Sequence, residues 1–120
     1  MILEGNFYKI EKIEEVEANT YVVGVEMMPE HPIYAGHFPQ QAVVPGVCTL
    51  TIIKEIIGKI LSREVVFAAI KDCKYVSALL PQEDLHLRIN LTLADEGKVV
   101  ATVERTDNQQ SVLKLKATIK

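Results

Sequence analysis

Leu85, Leu87, Ile89, Leu91 and Leu93 alternate with His86, Arg88, Asn90 and Thr92. A period of two over nine residues predicts a strand with one buried face. Shorter runs with the same character surround it. Residues 6–16 and 20–28 are rich in β-branched and apolar side chains and meet at Ala18-Asn19, the pattern of a hairpin. Asp95-Glu96-Gly97 predicts a turn, 98–105 a further strand, and 106–110 a second turn. Residues 112–119 close the sheet, with Leu113, Leu115, Ala117 and Ile119 on one face. The stretch 64–77 is strand-like but mixed, which predicts a long strand that bends partway. The connections are short, so roughly six strands are expected to pair antiparallel.

One segment breaks this rhythm. Residues 45–61 predict the single helix, opened by Pro45, whose missing N–H is harmless in a first turn. Val47, Cys48, Leu50, Ile52, Ile53, Ile56, Ile57, Ile60 and Leu61 cover most of its circumference. Thr51, Lys54, Glu55 and Gly58 fall in one narrow stripe. A helix apolar on nearly every side must be surrounded. With one sheet available, that sheet has to curl around it. The expected fold is α+β, a hotdog fold formed by residues 1–120 as one domain.

Composition narrows the function classes. The 120 residues are 48% hydrophobic and 24% charged with a net charge of −3, so neither a basic excess for nucleic acid nor a polybasic run for a membrane surface is present. The apolar stretch 43–61 is interrupted by Thr49, Thr51, Lys54, Glu55 and Lys59 and does not read as a transmembrane span. Residues 1–16 lack the layout of a signal peptide, and a cytoplasmic protein is expected. Cys48 and Cys73 have no C-x-x-C spacing and read as reduced thiols. His31, His37 and His86 show no ligand-pair spacing, so no metal site is expected.

Candidate chemistry concentrates in residues 34–46, Y-A-G-H-F-P-Q-Q-A-V-V-P-G. His37 stands in a tight loop between Gly36 and Phe38-Pro39, just before the Pro45-Gly46 helix start. An imidazole beside a helix N-terminus combines a proton-transfer group with backbone N–H donors.

Gly36-His37-Phe38-Pro39 followed by Val43-Val44-Pro45-Gly46-Val47, with Pro32 five residues ahead of the histidine, resembles the 3-hydroxyacyl-acyl-carrier-protein dehydratase family. The motif covers about 32–50, and the predicted order of strands and helix agrees over essentially the whole chain. The resemblance implies that His37 removes the C2 proton of a 3-hydroxyacyl thioester. It also implies that the Gly46 or Val47 N–H polarises the thioester carbonyl, a contribution of ~3 kcal/mol for such a donor. A neutral imidazole suits the base role, its ordinary pKa being about 6.5. In the family a Glu or Asp on the central helix of the neighbouring subunit helps the 3-hydroxyl leave. The matching position, fourteen residues beyond His37, is Thr51. A hydroxyl there can orient water but is a poor general acid. Glu55, one turn on and displaced by only ~40° around the helix, is the candidate replacement; alternatively it pairs with Lys54, Lys59 or solvent.

Phe38 and Tyr34 are expected either to line the substrate site or to brace the loop, and His86 to point outward from its strand. The implied ligand is an acyl thioester carried by acyl carrier protein or coenzyme A, and the implied reaction needs no cofactor. The implied assembly is a homodimer or higher homo-oligomer, or a heterodimer with a paralogue. Three activities stay open: dehydration to a trans-2-enoyl thioester, non-catalytic binding beside a complete dehydratase, and thioester hydrolysis using His37 with Glu55.

Overall fold

The computed structural model describes residues 4–5, 7–28, 46–77 and 85–120, with the backbone alone for 46 and 47. Six strands are present among them: β1 (Tyr8–Glu17), β2 (Thr20–Met27), β3 (Phe67–Tyr75), β4 (His86–Leu93), β5 (Lys98–Arg105) and β6 (Ser111–Ile119). The helix α1 (Gly46–Leu61) lies between β2 and β3 in the chain. All the strands join one antiparallel sheet in the order β1-β2-β4-β5-β6-β3. The β1–β2 hairpin turns at Ala18-Asn19, where Asn19 takes φ of 62°, as the sequence leads one to expect.

Alternation becomes burial in the middle of the sheet. Val23 and Val25 of β2, Leu87, Ile89 and Leu91 of β4, Ala101 and Val103 of β5, and Leu113 and Leu115 of β6 are all buried. They form one cluster with Cys48, Ile52, Ile53, Ile56 and Ile57 of α1. Each of those isoleucines contributes ~1.5–3 kcal/mol by leaving water. The half-buried stripe of the helix is Thr51, Lys54, Glu55 and Gly58, and Lys59 is exposed.

The mixed pattern of 64–77 has a definite cause. β3 carries two register shifts against β6, between Phe67 and Ala69 and between Ile70 and Asp72. Each adds a residue, so the side chains sharing a face with buried Ile119, Ala117, Leu115 and Leu113 are Phe67, Ile70, Cys73 and Tyr75. The two edges of the sheet differ in kind. In β1, six of ten residues are charged (YKIEKIEEVE). In β3 only Lys71, Asp72 and Lys74 are, while Ile70 and Tyr75 stand 46% and 53% exposed.

The turn before β5 depends on glycine. Residues Asp95–Gly97 form a 3-10 turn in which Gly97 takes φ of 75°, and a methyl group there would run into the carbonyl oxygen of Ile119. Left-handed strain and a backbone clash act together, so Gly97→Ala is expected to destabilise the fold by about 3 kcal/mol and lower Tm by about 10 °C. Differential scanning calorimetry checks it; an unchanged Tm would mean the turn relaxes freely.

Candidate functional site

The N-terminal turn of α1 begins at Gly46. The first N–H groups of any helix lack an intrahelical acceptor, and Gly46 and Val47 supply two of them here. Cys48 and Thr49 behind them are buried, so this turn is held firmly by the core. Burial also pushes the Cys48 thiol up from its ordinary pKa. Thr51 follows on the half-buried stripe, in the turn above Gly46 and Val47. Tyr34, His37 and Phe38 lie outside the described residues. The structure therefore places the helix half of the expected site: Gly46, Val47, Thr51 and Glu55.

Glu55 lies one turn beyond Thr51, and its carboxylate is engaged by the N-terminal segment. Tyr8 Oη donates to Glu55 Oε1 at 3.0 Å, and the backbone N–H of Glu4 donates to the same oxygen at 3.0 Å. Lys59 Nζ binds Glu4 Oε2 at 2.8 Å and closes the arrangement from the other side. Of the residues considered from sequence, Lys59 pairs with Glu4, and Glu55 accepts from Tyr8 and the Glu4 amide. Glu55, Lys54, Lys59 and Arg63 also border an open cleft of about 510 Å³ at this end of the helix. Tyr8 had no sequence signal linking it to the site, since it stands forty-seven residues from Glu55.

Tyr8 is fully buried, and burial first, then the Glu55 charge, holds its hydroxyl well above the usual phenol range. A raised folded pKa stabilises the protein fully below the unfolded value of about 10, and that contribution falls as pH rises beyond it. Tyr8→Phe is therefore expected to cost about 2 kcal/mol at neutral pH, with the gap to the wild type narrowing above pH ~10. Urea titrations at both pH values decide this. Equal stability at neutral pH would show that the hydroxyl contributes nothing.

On β3, Ile70, Cys73 and Tyr75 share the face that is buried in β6, but Cys73 is half-buried and Ile70 and Tyr75 are exposed. Burial and then the neighbouring Cys73 sulfur raise the Tyr75 hydroxyl pKa. This face of β3 was hidden in the sequence by the two register shifts. His86 faces outward as expected, its Nδ1 2.8 Å from Glu11 Oε1. Among the described residues no group of three or more His, Cys, Asp or Glu is placed to hold a metal ion, and no helix is long and apolar enough to cross a membrane.

A six-stranded antiparallel sheet around one central helix defines a hotdog-fold protein. Comparison with known proteins agrees. The sequence profile of the ApeI-like dehydratases, described as ApeI dehydratase, matches residues 13–114, and the chain belongs to that family. It is 32% identical to the 3-hydroxyacyl-[acyl-carrier-protein] dehydratase FabZ of Clostridium botulinum, over 82% of this chain and 76% of the relative. The corresponding FabZ of Geobacillus thermodenitrificans is 28% identical, over 81% and 75%. In three dimensions the chain resembles the dehydratase heterocomplex ApeI:P from Xenorhabdus doucetiae. The TM-score is 0.78 at 17% identity, with 92% of this chain and 95% of that one covered. A hypothetical thioesterase with coenzyme A from Streptococcus pneumoniae has the same fold at a TM-score of 0.61 and 17% identity, covering 93% and 83%.

Proposed function

We propose that the protein binds 3-hydroxyacyl thioesters, carried by acyl carrier protein or coenzyme A, and dehydrates them to trans-2-enoyl thioesters in a fatty-acid-like biosynthesis. The observation that carries this reading is the dehydratase-family match over residues 13–114, combined with the Gly36-His37-Phe38-Pro39 and Pro45-Gly46-Val47 motifs inside it. His37 takes the C2 proton, and the Gly46 or Val47 N–H receives the negative charge that grows on the thioester oxygen. As the C2–C3 double bond forms, the C3–O bond breaks and the hydroxyl takes up the proton that His37 removed, leaving as water held near Thr51. Glu55 would first have to release Tyr8 and the Glu4 amide, so Thr51 is the nearer candidate and Glu55 the replacement. Phe38 and Tyr34 line or brace the substrate loop.

The site is completed by a second subunit. The apolar, half-covered β3 edge is the surface on which two sheets would join, and this would bury Ile70 and Tyr75. The charged β1 edge disfavours the same contact at the other end.

The test is to incubate purified protein with 3-hydroxyacyl and trans-2-enoyl thioesters of both carriers and follow products by mass. Loss or gain of one water supports the dehydratase reading, whereas release of free acid indicates a thioesterase. A second reading is favoured by Thr51 at the acid position together with the heterocomplex among the structural relatives. In it the chain binds thioester and lends residues to a catalytically complete paralogue. Retained thioester binding without turnover supports that alternative.

A further inference from the structure

The inward face of the sheet runs on past the end of α1. The helix stops at Leu61, where Ser62 takes φ of 57° and the Arg63 N–H donates back to the Gly58 carbonyl at 3.0 Å. Beyond that stop the inward positions continue, with Tyr21 opposite buried Leu91 and Leu93 opposite buried Val99. Tyr21 and Leu93 are only half-buried, and Leu61 at the helix end is 40% exposed. The result is a mouth of about 270 Å³, walled by Tyr21, Leu61, Leu93 and Val99, with the hairpin tip at Asn19 and the turn at Gly97 on its border. It lies about 22 Å along the helix from Gly46, counting 1.5 Å per residue, and is therefore separate from the proposed reaction site.

Charge at this mouth does not cancel. Arg63 and Lys98 both line it, Asp95 is the acidic residue of the lining, and all three are exposed. Lys9, Lys12, Lys59, Arg88 and Arg105 each lie against a carboxylate. Among the described residues Arg63 and Lys98 do not; Arg63 Nη1 donates to the Glu64 carbonyl at 3.3 Å. An apolar wall with two such cations at its border, in a chain of net charge −3, selects for an anion with a hydrocarbon body.

We propose that this mouth binds a small amphipathic carboxylate, its hydrocarbon part against Tyr21, Leu61 and Leu93 and its carboxylate at Arg63 and Lys98. Size supports the choice, because a volume of about 270 Å³ falls just under the roughly 300–1,000 Å³ of pockets for drug-sized ligands. Other occupants fit less well. A bare alkane would leave both cations unmatched. An ammonium amphiphile would meet them with like charge. A divalent metal ion calls for several oxygen ligands, and Asp95 is the carboxylate the lining offers. A protein partner spreads over about 800 Å² of surface, whereas these apolar groups are gathered in one recess. The inference stands on this end of the sheet alone and does not depend on the proposed reaction.

The experiment titrates the isotope-labelled full chain with sodium octanoate and follows the backbone amide shifts by NMR. Saturable shifts are expected at Tyr21, Leu93 and Gly97, with Kd on the order of 1 mM for a ligand of so few atoms, and little change at Gly46 and Val47. Arg63→Gln with Lys98→Gln is expected to raise Kd about fivefold or more. Leu61→Gln should raise it about threefold. Added salt should weaken binding. Octyltrimethylammonium, with the same tail and the opposite charge, should leave the three amides unmoved. The same spectra establish that the variants are folded, and all three substituted positions are exposed. Absence of saturable shifts overturns the proposal, as do shifts centred on the helix start. Equal binding of the ammonium compound, or octanoate binding indifferent to both variants, overturns it too.

Discussion

Alanine in place of His37 is expected to reduce conversion of 3-hydroxyacyl thioesters by ~100- to 10,000-fold, with thioester binding changed far less. Among the described residues at the helix start, none is placed to take the C2 proton in the proposed mechanism. Gly46 and Val47 offer only N–H donors, and Cys48 is buried with its thiol pKa pushed up. Removing the imidazole leaves the carbonyl clamp intact, so the loss should fall on kcat and leave KM nearly unchanged. Mass-resolved kinetics on the folded variant is the measurement. Unimpaired turnover would remove His37 from the mechanism and would direct attention to another base.

Thr51→Glu is the opposite experiment, and turnover is expected to rise by ~100-fold or more. A carboxylic acid at this place on the helix can protonate the departing hydroxyl, which threonine does poorly. The position is half-buried, on the stripe shared with Lys54, Glu55 and Gly58, so a longer side chain has somewhere to go. Its cost in stability should stay near 1 kcal/mol, the low end for an enlarged side chain. If turnover does not rise while the protein stays folded and binds thioester, the missing acid is not what limits the reaction. Comparing Glu55→Gln then shows whether the neighbouring carboxylate already served, because that change keeps an acceptor for Tyr8 and the Glu4 amide while removing the charge.

Much of the architecture was legible because burial enforces periodicity. Leu87, Ile89 and Leu91 alternate in the sequence and are buried in β4, and the helix isoleucines announced an element surrounded by sheet. Legibility failed where local geometry changes the phase. In β3 two extra residues move the inward positions to Phe67, Ile70, Cys73 and Tyr75, and no fixed period finds them. It failed again for Tyr8 and Glu55, because a hydrogen bond across forty-seven residues leaves no trace in either neighbourhood. The candidate site is proposed from a motif, since Gly-His-Phe-Pro and Pro-Gly-Val depend on a short stretch of chain. Placement of Gly46 at the helix start agrees with that motif, while Tyr34, His37 and Phe38 lie outside the described residues. What the motif alone leaves open is the acid, for that role depends on which of two helix positions, Thr51 or Glu55, the substrate meets.

The contrast between the β1 and β3 edges bears on stoichiometry. A sheet adhesive at both borders would recruit chain after chain and grow into a fibre. With charge along one border and apolar surface along the other, each chain has a single valence. If two such chains joined at β3 as proposed, they would satisfy one another across a two-fold axis and leave no open valence for a third. In the proposed assembly the β1 charges act as a terminator, and neutralising them should permit ribbons to grow beyond the paired chains.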